Sequence, residues 1–131
     1  MTVTTTPSQL GGTVTGAPLL ILRLEGAVLF AAAVAGYTLN GGSWVIFAAL
    51  ILVPDLFMLG YLIDKRRGAM LYNLGHTTAL PALLIAGGLT MGSGFATAVG
   101  LIWLAHIGFD RAVGFGLKYA DSFKHSHLGT P

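Results

Sequence analysis

Apolar residues run almost unbroken through four segments of the chain, about Pro18 to Leu39, Trp44 to Ile63, Ala69 to Thr90 and Phe95 to Lys118. Polar positions collect in the short gaps between them: Asn40-Gly41-Gly42-Ser43, Asp64 to Gly68, and Met91-Gly92-Ser93-Gly94. Each run has about the 20 residues that an α-helix needs to cross a bilayer core of roughly 30 Å, and none alternates strictly as a membrane strand would. Lipid offers the backbone no hydrogen bonds, which leaves helix as the form these runs take. Such short links force sequential helices to run antiparallel. The pattern therefore predicts an all-α membrane protein, with four transmembrane helices in an up-down-up-down bundle over residues 17–122. The Thr-, Ser- and Gly-rich stretch 1–16 reads as a disordered tail, and residues 123–131 as a second tail. With no basic residue before the first apolar run, the N-terminal stretch does not read as a cleaved signal peptide.

Composition agrees. Hydrophobic residues make up 54% of the chain and charged ones 9%, with a mean hydropathy of +0.77, whereas soluble domains carry about 25% charged residues. So few charges cannot cover a surface facing water. Cysteine is absent, which excludes disulfides and thiolate metal sites. The basic residues lie at one level: Lys65, Arg66 and Arg67 fill the middle link, and Arg111, Lys118 and Lys124 lie in or after the end of the fourth helix. The other two links hold no charge. By the positive-inside rule, both termini and the middle link are expected in the cytoplasm of a bacterial inner membrane. Arg23, near the start of the first helix, can snorkel to that face. No aromatic-interleaved basic patch points to nucleic acid, so these residues read as topology determinants and contacts to membrane lipid. Ala32 and Gly36, and Gly75 and Ala79, recur at spacings that let helices approach closely.

Each apolar run also carries an ionisable residue at membrane depth: Glu25, Asp55, His76 and Asp110. At 1.5 Å per residue all four lie roughly 10–13 Å from the cytoplasmic helix ends. His106 sits one turn deeper than Asp110 on the same face, and Asn73 one turn shallower than His76. An unpaired charge in hydrocarbon costs at least about 2.5–3.5 kcal/mol, so these residues are expected to converge on one buried polar site opening to the cytoplasmic leaflet. Three carboxyls face two arginines, Arg23 and Arg111. The balance can be met by a protonated carboxyl, a charged histidine or a bound cation.

Three readings of this layer remain open. In the first, Glu25, Asp55, His76, His106 and Asp110 are catalytic acid–base groups acting on a small apolar or amphiphilic molecule, with Asn73 and Arg111 binding substrate. The pair His106-x-x-x-Asp110 also has the spacing of two ligands to one metal ion, which Glu25, Asp55 and His76 could complete, although the Glu-x-x-His repeats of di-iron bundles are absent. In the second, the same carboxylates relay protons or hold a cation in a transporter or channel subunit, and four helices are few enough that a homo-oligomer is expected. In the third, they are structural ion pairs, such as Glu25 with Arg111, in an accessory subunit of a membrane complex. The tail pair His125-x-His127 reads as solvated.

The runs Leu22-Arg23-Leu24-Glu25-Gly26, Pro54-Asp55-Leu56, Tyr72-Asn73-Leu74-Gly75-His76 and Ala105-His106-Ile107-Gly108-Phe109-Asp110-Arg111, in that order, resemble the small bacterial membrane proteins of domain-of-unknown-function family 4260. The resemblance covers about residues 18–128. It implies bacterial origin and a compact four-helix membrane protein, and it brings no activity, cofactor or catalytic residue.

Overall fold

The computed structural model describes residues 12–118 and 126–128. Among these the chain is all-α: α1 (Gly16–Leu39), α2 (Trp44–Leu50), a 3-10 segment (Val53–Leu62), α3 (Lys65–His76), α4 (Ala79–Met91) and α5 (Gly94–Val113). Three stretches, Gly16–Leu39, Trp44–Leu62 and Lys65–Met91, are long and apolar enough to cross a membrane. Their large side chains point mostly outward; Leu24, Val28, Leu56, Leu59 and Leu83 are each exposed.

The least apolar of the long helices is the inner one. α5 buries Ile102, Ala105, His106 and Ile107 and packs against α1, α4 and α2. Its approach to α1 is set by two glycines, since a Cβ on Gly26 would fall 2.7 Å from Arg111 Cβ and one on Gly108 would fall 2.6 Å from Phe30 N. Of the small residues expected at helix contacts, Gly36 packs on Leu101 and Gly75 on Phe57. Ala32 and Ala79 face outward, and Ala33 is buried instead.

The second and third apolar runs are not the continuous helices that their hydropathy predicts. α2 stops at Leu50 and α3 stops at His76, with Thr77 extended at ψ 138°. Each break falls at the residue four before a proline, Leu50 before Pro54 and Thr77 before Pro81. Proline has no N–H for the i−4 carbonyl, and its ring collides with that carbonyl. After the first break the chain continues with a period of three, which aligns Pro54, Phe57 and Gly60 on one face against α3. There Phe57 covers Gly75, and Gly60 lies close to Gly68.

The ends are fixed locally. Asp64 and Ser93 cap α3 and α5 by accepting from Arg67 N at 2.7 Å and Ala96 N at 3.1 Å. Gly114, at φ +100°, closes α5 with Phe115 N donating to Asp110 O at 2.7 Å. Asn40 Nδ2 reaches Gly94 O at 3.2 Å, which puts the α1–α2 and α4–α5 links at one end. Arg23 Nε reaches Ala112 O at 3.0 Å at the other.

Residues 126–128, inside the stretch expected to be a solvated tail, fold back on that second end. Ser126 and Leu128 are buried. His127 O accepts from Val14 N at 2.8 Å, and His127 Nδ1 accepts from Leu117 N at 2.9 Å. His125 and Lys124 lie outside the described residues.

Candidate functional site

Both proline breaks lie at the level of the polar layer, and each frees carbonyls that side chains of α5 then occupy. Beyond α2, Asp55 N bonds to Leu52 O in 3-10 fashion. Ile51 O is thereby left for His106, whose Nδ1 donates to it at 2.5 Å. At the end of α3, Trp103 Nε1 donates to Gly75 O at 2.6 Å and Arg111 to His76 O at 3.5 Å. Three of the orphan carbonyls that helix ends expose, those of Ile51, Gly75 and His76, are thus met by side chains of α5. His76 lies in the last turn of α3, with Nδ1 donating to Tyr72 O at 2.8 Å and its ring stacked on Tyr72 at 3.8 Å between centroids.

Four side chains from three elements converge here. His76 Nε2 lies 3.2 Å from Asp55 Oδ1 and 3.4 Å from Asp110 Oδ2. His106 Nε2 lies 3.0 Å and 3.1 Å from the same two oxygens, and the two Nε2 atoms are 3.2 Å apart. Both imidazoles are almost fully buried, whereas the Asp55 side chain is 41% exposed. One ligand atom from each of the four residues falls within 4.8 Å of all the others, so this set could hold a metal ion.

Asp55, His76, His106 and Asp110 therefore meet, and Glu25 does not. Glu25 is exposed on α1 and makes no ion pair or hydrogen bond among the described residues. It shares a pocket of about 270 Å³ with Arg111, Thr78 and His127, which none of the four cluster residues lines. Asn73, expected to bind substrate, uses its amide on the backbone of Lys118, donating to Lys118 O at 2.7 Å and accepting from Lys118 N at 2.5 Å. Tyr72 and Trp103 escaped the sequence reading because aromatic residues in an apolar run carry no polar signal. Pro54 and Pro81 were a usable signal for the freed carbonyls.

A cavity of about 420 Å³ leads to the cluster. Phe30, Phe47, Ile51, Leu52 and Phe109 line it together with Asp55, His106 and Asp110. Phe30 and Phe109 meet there at 5.7 Å between ring centroids. At the end near residue 118 the electrostatics differ. Burial, then the charge of Arg111, hold His127 below its ordinary value.

Fold and site together define an all-α protein with an outward apolar surface and one internal Asp/His centre. The chain belongs to the family described as Domain of unknown function (DUF4260), whose model matches residues 19–130. No curated protein and no solved structure matches it.

Proposed function

We propose that this is a multi-pass protein of a bacterial cytoplasmic membrane that binds a small amphiphile from the bilayer and acts on it, by acid–base or metal-assisted chemistry, at the centre formed by Asp55, His76, His106 and Asp110. The observation that carries this reading is the cavity that phenyl and aliphatic side chains line together with two carboxylates and an imidazole. Such a pocket suits a molecule with an alkyl part and a polar oxygen or nitrogen. Asp55, the most accessible of the four, is the member of the centre that a head group can reach. The membrane setting is supported by three long apolar stretches whose side chains point outward. An up-down course with cytoplasmic termini is supported by the link contacts described above and by Lys65, Arg66 and Arg67.

The test is photolabelling of the full chain in bilayers with diazirine-bearing alkyl probes carrying neutral, anionic or cationic head groups. The expected result is labelling at Phe30 or Phe47 by one head-group class, reduced in Asp55→Asn. Labelling confined to outward residues such as Leu20 and Leu83 overturns the reading.

A second reading, a homo-oligomeric transport or accessory subunit, draws on one observation. Glu25 is exposed on α1 with no ion pair or hydrogen bond among the described residues, so another chain could pair with it.

A further inference from the structure

The backbone fixes the tautomer of both site histidines. A carbonyl oxygen only accepts, so Tyr72 O and Ile51 O hold a proton on Nδ1 of His76 and of His106. In the neutral rings each Nε2 is then a lone pair. These lone pairs face one another at 3.2 Å and face carboxylate oxygens at 3.0–3.4 Å, acceptor against acceptor. Protonating both rings would set two N–H groups against each other instead. Protonating one gives a single donor for the other ring and two carboxylates, and still leaves the second Nε2 opposed to Asp55 and Asp110.

We propose that the space between these four atoms binds one divalent transition-metal ion of the zinc class, held by Asp55, His76, His106 and Asp110. A tetrahedral ion with bonds of about 2.0 Å sets its ligand atoms roughly 3.3 Å apart. Five of the six separations here are 3.0, 3.1, 3.2, 3.2 and 3.4 Å; the sixth, between the carboxylates, is bounded only at 4.8 Å, so that edge can be wider than the tetrahedral one. Two imidazoles with two carboxylates select zinc-like ions over calcium and magnesium, which take six or more oxygens or keep their waters. The charges cancel, two carboxylates against one dication, as a site of low dielectric requires. The Nδ1–carbonyl bonds are the outer contacts that metal-binding histidines use to hold ring and tautomer. His106 and Asp110 sit four apart on α5, one turn above another, while the two proline breaks deliver Asp55 and His76 to the same point. The exposed edge of Asp55 faces the apolar cavity, so a fifth ligand, water or the polar end of an amphiphile, would enter from there. The assignment concerns the same cluster as the function above but does not depend on the amphiphile.

The test is made on the full chain purified in detergent without chelator. Elemental analysis should find about one zinc-class ion per chain. After chelation, added Co2+ should give the intense visible absorption of a four-coordinate site, and Zn2+ should raise the unfolding temperature. His76→Gln, His106→Gln and Asp110→Asn should each lose the ion and the thermal shift while keeping a helical circular dichroism spectrum. A helical wild-type chain that takes up less than about a tenth of an equivalent from excess Zn2+ overturns the assignment. So does equal uptake by the double variant His76→Gln/His106→Gln, which locates the ion elsewhere. A wild-type chain that takes up no ion yet photolabels at Phe47 would sink the metal alone, and loaded protein that never labels would sink the amphiphile alone.

Discussion

His106 donates from Nδ1 to the carbonyl of Ile51, 55 residues away in sequence, and that carbonyl is available because the chain around Pro54 does not continue as an α-helix. In a continuous helix Ile51 O would accept from Asp55 N, which here bonds to Leu52 O at 3.0 Å. Pro54→Ala restores the missing donor and favours the regular ladder, so His106 is expected to lose its orienting partner. Loss of such an outer contact typically weakens metal binding 10–100-fold. Competition with a coloured chelator measures this, and unchanged affinity would show that the break is not what positions His106.

The crossing of α1 and α5 leaves no room for a side chain at Gly108, where a Cβ would lie 2.6 Å from Phe30 N and 2.9 Å from Gly26 O. Both neighbours are backbone, so the helices themselves must separate. Gly108→Val is expected to destabilise by about 1–3 kcal/mol or more. Gly87→Val, at a position with nothing within 4 Å, serves as the control in the same thermal unfolding experiment.

Asn73 holds Lys118 through two hydrogen bonds, so its replacement should act on stability rather than on the site. At about 0.5–1.5 kcal/mol for each bond, Asn73→Ala is expected to cost roughly 1–3 kcal/mol. Metal content and photolabelling should stay at the wild-type level. If Asn73 instead orients substrate, labelling falls while the unfolding temperature holds.

His127 accepts from Leu117 N at Nδ1, which requires the neutral ring. Its folded-state value is depressed by burial and by Arg111, so the unfolded chain takes up the proton first as pH falls. The closure of residues 126–128 on the body is therefore complete above the ordinary histidine value of about 6.5 and weakens as pH falls below it. Glu25 and Arg111 share that pocket. The protection of Leu117 N against hydrogen exchange, taken relative to the intrinsic rate at each pH, should fall between about pH 7 and 5, and the dependence should flatten in His127→Gln.

Sidedness is open to labelling at exposed positions. Ser43→Cys and Gly94→Cys, in the two uncharged links, are expected to react with an impermeant thiol reagent added outside intact cells. Arg66→Cys, exposed beside the α3 cap, should react only after the membrane is opened. Outside labelling of Arg66→Cys would invert the topology.

The class of this protein was legible in its sequence because hydrophobic length and the scarcity of charge are sums over many residues, and no single contact alters them. Asp55, His76, His106 and Asp110 stood out for the same reason, since a polar side chain within an apolar run is conspicuous wherever the helices go. Which of them meet was a matter of rotation about each helix axis, and one-dimensional spacing records depth but not azimuth. Glu25 has the depth of the cluster, yet it faces outward because Gly26, its neighbour, is the residue pressed against α5. The two breaks were written in Pro54 and Pro81, but their consequence was not. Only tertiary packing decided that the freed Ile51 carbonyl would be met by His106, and the freed Gly75 carbonyl by Trp103. Hydrogen bonds between residues 28 and 55 positions apart depend on how the helices dock, which local sequence does not record.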